Sequence, residues 1–420
     1  MKKITFVVLL TMLANICHSQ KLPYPIIFVH GLNSNSKTWN DMKSHLINSQ
    51  LSYGGQIDFC LNYNGNNSTS NTIMYPASGA DIAVYNIQPI TNGDFYMINF
   101  DINNQGQLYP SEPFSPNNDV LSNEASITKQ GVALKKAIEM ILNITGRNKV
   151  VLMGHSMGGL ASREYLQNET NWQNDGYHHV AKLATTGTPH GGFTGINFQL
   201  ATFINSSSEA YRDLKKEMST NVAGVYLYGG IESISNIGSG FYNNDINCNG
   251  VNNDGSNIVG LNQRDLFDNV DYSYIIGNCT DCVLFQGQFL GDGIVRYENA
   301  NLSEFYELPW PKNEFVYTTS AITQIHSDLP KQIFQNMQAL DEPNEHWLAY
   351  GIEGNNQYKG FITNQPVGGY LYDFDNYTFV LNEDSQLNLQ VNTSLPNGIN
   401  VRLLDSDYTQ IDDIIQITST

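Results

Sequence analysis

The sequence predicts an α/β protein, a mostly parallel sheet with helices on both faces. Three observations carry this. Short continuous apolar runs recur, "PIIFVH" at 25–30, "KVVLMG" at 149–154 and "VAKLATT" at 180–186, as in strands buried on both faces. Between them lie stretches of helical periodicity, above all "SITKQGVALKKAIEMILNITG" at 126–146. Glycines gather where one kind of segment hands over to the next, as in "MGHSMGG" and "TGTPHGG".

Each element has its own signal. In the long helix Ile127, Leu134, Ala137, Ile138, Ile141 and Leu142 share a face, Ser126 suits the N-cap and Gly146 the stop. A second helix should run from about Met157 to Gln167. "DFYMINF" (94–100), "VDYSYIIG" (270–277) and "EFVYTTS" (314–320) read as further strands. Residues 50–120 otherwise read as long loops rich in Asn, Gly, Ser and Thr. The stretch from about 193 to 245 interrupts the alternation with apolar pieces such as "INFQLATFI", and suits a lid-like insertion as well as an ordinary helical one. Composition shifts near Asp341, where period-2 patterns such as "YTFVLNEDSQLNLQV" begin. Residues 341–420 are therefore expected to form a small β-sandwich-like segment, with too few strands to close.

Residues 1–19 have the pattern of a secretory signal peptide: Lys2 and Lys3, an apolar run from Ile4 to Ala14, and a small residue, Ser19, before the cut. Cys17 follows Ile16, not the small residue that a lipidation box uses. The expected location is thus secreted, periplasmic or cell-surface, with no transmembrane segment in the rest of the chain. The formal net charge of −19 argues against nucleic acid or an anionic membrane surface as a partner. Export also favours disulfides among Cys60, Cys248, Cys279 and Cys282, with Cys279–Cys282 and Cys60–Cys248 the preferred pairing.

The chemistry-bearing residues cluster at strand ends. "GHSMG" (154–158) follows a strand and opens a helix, the context in which a serine is exposed on a sharp turn as a nucleophile. A free serine hydroxyl is weak, so an imidazole must take its proton and a carboxylate must orient that imidazole. Asp292, in "LGDGIV" after the 270–277 strand, is the expected acid, ahead of Asp265, Asp268, Asp271 and Asp281. His326, in "IHSDLP" after the last strand, is the expected base; His346 lies beside Trp347, beyond the composition shift. Backbone N–H groups of Met157 and Leu32 would bind the oxyanion. His30 is expected to orient the loop of Leu32 by hydrogen bonds.

Taken together, "FVHGLNSNSKTW", "VVLMGHSMGGLASREYL", "TTGTPHGG", "GDGIV" and "IHSDLP" resemble the α/β-hydrolase superfamily, in its secreted bacterial lipase group. They are also similar to the GPI inositol-deacylase-like and lecithin–cholesterol-acyltransferase-like branches. The resemblance covers residues 22–339, and gives a catalytic domain of 20–340. It implies the α/β-hydrolase fold and hydrolysis of carboxylic esters, lipids included, through an acyl-serine on Ser156, with His326 and Asp292. No organic cofactor is implied. A structural calcium is, with Asp328, two positions after His326, as a ligand; the acidic stretch 243–258 adds Asp245 and Asp254 as further candidates. The expected partner is a lipid or other acyl ester, met by a monomer. The alternatives are an amidase or thioesterase with the same triad, or an envelope- or polysaccharide-binding module on a hydrolase scaffold, which 24 Tyr and a β-rich tail would suit.

Overall fold

The computed structural model describes residues 21–61, 82–108, 122–192, 209–214, 260–279, 291–307, 313–319 and 325–353. Of the C-terminal part it describes 356–361, 375–380, 391–392, 399–405, 407, 409–410 and 415–417. Chain order is β1 (Ile26–Val29), α1 (Asn40–Asn48), β2 (Tyr53–Cys60), β3 (Ala83–Val84), β4 (Phe95–Asn99), α2 (Ile127–Thr145), β5 (Val150–His155), α3 (Met157–Gln167) and β6 (Val180–Thr186). Then come α4 (Glu209–Leu214), β7 (Asp271–Cys279), α5 (Tyr297–Ala300), β8 (Asn313–Thr319) and α6 (Ile333–Ala339).

Eight strands form one sheet in the order β3-β2-β4-β1-β5-β6-β7-β8. Every pairing is parallel except β2 with β3. The expected α/β-hydrolase architecture is therefore present. From β1 the chain places β2 and β3 toward one edge, returns with β4 beside β1, and then crosses to the other side with β5. The carboxyl ends of β1 and β5 thus flank a topological switch point, where open α/β sheets bind ligands.

Both faces of the sheet are covered, and β1 shows how. Ile27 and Val29 join Ala133, Leu134, Ala137, Ile138 and Ile141 of α2 in one core, while Ile26 and Phe28 join Met42 and Leu46 of α1 and Ala339 of α6 in the other. A strand buried on both sides needs apolar residues at every position, which is why these strands read as continuous runs. The α2 ends are those the sequence marks: Ser126 Oγ accepts from the Lys129 N–H at 3.2 Å, and Gly146 closes the helix at φ 69°. Among the described residues no helix is long and apolar enough to cross a membrane.

The structure departs from the sequence reading in two places. Residues 53–60, read as loop, form β2; Gly54 and Gly55 and a register shift beside them break the alternation that would have marked a strand. The division expected at residue 341 falls instead between Thr378 and Phe379. β9 (Tyr350–Gly351) and β10 (Tyr377–Thr378) pair with each other, the Gly351 N–H donates to the Tyr24 hydroxyl at 2.9 Å, and the Tyr24 and Tyr350 rings meet at 5.0 Å. Apolar and hydrogen-bonded contacts of this kind join 341–378 to the first unit. In the second unit, 379–420, β11 (Ile399–Val401) runs antiparallel to β12 (Ile415–Ile417); a sandwich would need more strands than the described residues there supply. Of the insertion read over 193–245, only α4 lies within the described residues.

Candidate active site

Ser156 stands between β5 and α3 with φ 53° and ψ −131°, a conformation strained for any residue with a Cβ. Close packing around the turn holds it there. A Cβ at Gly154 would stand 2.5 Å from Gly159 Cα, and one at Gly158 would stand 2.4 Å from the His30 carbonyl oxygen. The two glycines flanking the serine are thus required because the first turn of α3 lies directly against β5 and the end of β1. The Ser156 N–H is anchored on the Thr186 carbonyl of β6 at 2.9 Å.

The loop after β1 approaches from the other side of the switch point. A Cβ at Gly31 would stand 2.6 Å from Ser156 Cβ, so only glycine lets this backbone pass the nucleophile. His30 is 1% exposed; its Nε2 accepts from the Phe100 N–H at 2.9 Å, which leaves Nδ1 to donate to the Gly31 carbonyl at 2.8 Å. Burial holds its pKa down to about 4, so the ring stays neutral and structural. Asp101 adds a second brace that the sequence did not reveal. It accepts from Asn35 at 3.2 Å and from Asn123 at 3.1 Å, and Asn123 also donates to the Ser34 carbonyl. Leu32, the next residue after Gly31, packs on a cluster of Met157, Leu160, Ile127 and Leu261, with Ala210 and Leu214 of α4. The Met157 N–H, in the first turn of α3, is one that an α-helix leaves without an intrahelical acceptor.

Beyond the ends of β7 and β8 lies the couple of Asp292 and His326. His326 Nδ1 donates to Asp292 Oδ2 at 2.6 Å, and both residues are buried. Asp292 Oδ1 accepts from the N–H groups of Ile294 and Val295 at 2.9 and 2.7 Å, and the Asp292 carbonyl accepts from the Ile325 and His326 N–H groups. The Asp-Gly turn thus fixes the carboxylate, and the carboxylate residue fixes the histidine loop. Gly187, at φ 57°, makes room: a Cβ there would stand 3.0 Å from Asp292 Oδ2 and 3.1 Å from His326 Nδ1. Of the rival acids, Asp271 is ion-paired with Lys182 at the amino end of β7, far along the strand from the histidine, and Asp281 lies outside the described residues.

His155, the residue before the serine, has a part that sequence reasoning missed. Its Nε2 donates to the His326 carbonyl at 3.0 Å, and the two rings lie 4.8 Å apart. Burial, and next the neighbouring His326, keep its pKa well below the ordinary value, so it is a neutral strut. It joins the serine turn to the histidine loop across 171 residues of sequence. Ser156 Oγ has no hydrogen bond to His326 Nε2 among the described residues.

The remaining motif residues are scaffolding. Arg163, fully buried on α3, reaches His190 of "GTPHGG" at 3.2 Å, Asn262 at 2.8 Å and the Tyr306 hydroxyl at 2.6 Å. Asp328 is half exposed and its Oδ1 is ion-paired with Lys331 at 2.7 Å. Asp245 and Asp254 lie outside the described residues, as do Cys248 and Cys282; Cys60 and Cys279 are buried on β2 and β7.

A model of the PGAP1-like alpha/beta domain matches residues 23–239, more than half of the chain. The chain belongs to the PGAP1-like α/β domain family. That match spans Gly31, the Ser156 turn and "GTPHGG", and the sheet assigns this PGAP1-like domain to the α/β-hydrolase superfamily. No curated protein sequence matches the chain. Among solved structures it is similar to the lin2722 gene product of Listeria innocua: 15% identity, TM-score 0.42, covering 77% of this chain and 95% of that one. It is also similar to the mature form of Bacillus licheniformis lipase BlEst2, at 17% identity and TM-score 0.35, covering 76% and 92%. A third is phospholipase PlaB of Legionella pneumophila, at 14% identity and TM-score 0.34, covering 66% and 45%.

Proposed function

We propose that this PGAP1-like domain is an exported serine hydrolase that cleaves carboxylic esters, lipids among them, through an acyl-serine. The observation that carries the reading is a histidine–carboxylate hydrogen bond of 2.6 Å beside a serine held at φ 53° on a strand–helix turn. Ser156 Oγ attacks the ester carbonyl while His326 Nε2 takes its proton. Nδ1–H stays bonded to Asp292, whose charge stabilises the imidazolium. The N–H groups of Leu32 and Met157 receive the oxyanion. Collapse expels the alkoxide, which takes the proton from His326. A water molecule, deprotonated by His326, then attacks the acyl carbonyl; collapse frees the acid and expels Ser156 Oγ, which takes the proton back from His326. Side-chain rotation that closes Ser156 Oγ on His326 Nε2 accompanies substrate binding, since catalytic hydrogen bonds commonly tighten only in the complex.

Export rests on the residue pattern of 1–19, and Cys279–Cys282 and Cys60–Cys248 are the pairings it favours. No organic cofactor enters the mechanism, and the chain acts as a monomer.

The test is hydrolysis of p-nitrophenyl esters, from short to long acyl chains, by the mature protein and by Ser156→Ala. Activity that disappears in the folded variant supports the nucleophile, and the chain-length profile separates esterase from lipase. Equal activity in both sinks the reading. Inactivity of both moves the substrate toward amides or thioesters, or the chain toward a binding module.

A further inference from the structure

At the edge of the sheet away from Ser156, the amino ends of β6 and β7 carry Lys182 and Asp271, which are neighbours in register and ion-paired. Lys182 also donates to the Asp341 carbonyl at 2.9 Å. There the chain leaves α6 and places two acids in succession, Asp341 and Glu342, exposed by only 2% and 3%. Glu342 accepts from the Phe361 N–H at 2.9 Å and from the Tyr377 hydroxyl. Asp375, just before β10, completes the group: one carboxylate oxygen from each of Asp341, Glu342 and Asp375 lies within 4.8 Å of the others. Three carboxylates this close repel one another unless a cation or a proton lies among them.

Tyr350 supplies an independent observation. It is 4% exposed, and its hydroxyl has no hydrogen-bond partner among the described residues. It stands opposite Tyr377 in the parallel β9–β10 pair, so both rings lie on one face, the face on which the Tyr377 hydroxyl meets Glu342. A phenol buried beside acids would ordinarily donate to one of them. Here a further oxygen donor is left beside the carboxylates. Every donor is a hard oxygen, with no imidazole or thiolate, which is the donor set of calcium; its 2.3–2.6 Å bonds let one ion span oxygens at this spacing.

We propose that Asp341, Glu342 and Asp375, with the Tyr350 hydroxyl beside them, bind a calcium ion that ties residues 341–378 to the base of the sheet. The ion's part is structural. It joins the end of α6 to the β9–β10 pair and cancels a buried repulsion, at a distance from the serine turn.

The test uses the full mature chain, stripped with EDTA, at pH 8. Calorimetric titration with CaCl2 should show binding, and thermal unfolding should shift upward with calcium. Asp375→Asn, a change at a partly exposed residue, should weaken calcium binding by about tenfold or more. It should also reduce the thermal shift at a given calcium concentration, while leaving the EDTA-treated variant no less stable than EDTA-treated wild type, because one repelling charge is gone. Glu342→Gln should behave alike. A wild type whose unfolding ignores calcium, an undiminished shift in Asp375→Asn, or an equal response to MgCl2 would each overturn the proposal.

Discussion

Replacing Asp292 by asparagine removes one charge and adds two N–H donors where three N–H groups already converge. Oδ1 accepts from Ile294 and Val295 at 2.9 and 2.7 Å, and Oδ2 accepts from His326 Nδ1 at 2.6 Å. The two backbone amides cannot change character, so the asparagine oxygen must stay with them. Its NH2 then faces Nδ1, which must present a lone pair. The imidazole proton moves to Nε2, where the mechanism needs a lone pair to receive the serine proton. The charge that stabilises the imidazolium is lost as well. Loss of the correct tautomer together with that charge costs about 10⁴-fold in kcat, or roughly 5 kcal/mol of barrier. KM should change little, because Asp292 touches the histidine and not the substrate. The assay is steady-state hydrolysis of a p-nitrophenyl ester at pH 8, with thermal unfolding as the control for folding. A kcat within about tenfold of wild type, in folded protein, would refute the assignment of Asp292 and the tautomer reasoning with it.

Two further predictions concern stability. His30 should titrate near 4 in the native protein, against about 6.5 unfolded. A histidine whose folded pKa is depressed contributes stability that is present above the unfolded value and lost as pH falls toward the folded one. The loss between pH 6.5 and 4 should reach about 3 kcal/mol at this site. It is read as a narrowing, by that amount, of the difference in urea-unfolding free energy between wild type and His30→Gln as pH drops; a native His30 midpoint near 6.5 by NMR contradicts the burial account. Truncation separates the two units: a chain ending at Thr378 should stay folded and active, whereas one ending at Leu340 should lose the Tyr350 packing on Tyr24 and aggregate or unfold. Soluble, active protein from the shorter chain would restore the boundary near 341.

Much of the site was legible because its chemistry is written in short, local signals. Gly154, Ser156 and Gly158 declare a sharp turn within five positions, and the apolar runs around them declare the strand and its burial. The long helix announces both its ends, Ser126 and Gly146, because capping is a one-residue interaction. β2 was less legible, since Gly54 and Gly55 lack the side chains that make a strand pattern visible. Asp292 and His326 could be placed by the strands before them, but their hydrogen bond could not be seen, being a contact between residues 34 apart.

The sequence by itself determined the main alternation of strands and helices, the serine turn, and the candidates that follow it, because backbone propensity, capping and burial pattern act over a few residues. Only the tertiary structure decided that His155 props the His326 carbonyl, that Arg163 holds the "GTPHGG" loop, that Asp328 pairs with Lys331, and that residues 341–378 belong to the main unit. Those outcomes depend on which distant segments the parallel sheet brings together. A parallel crossover sets that adjacency through the packing of whole elements, and no local pattern of residues encodes it.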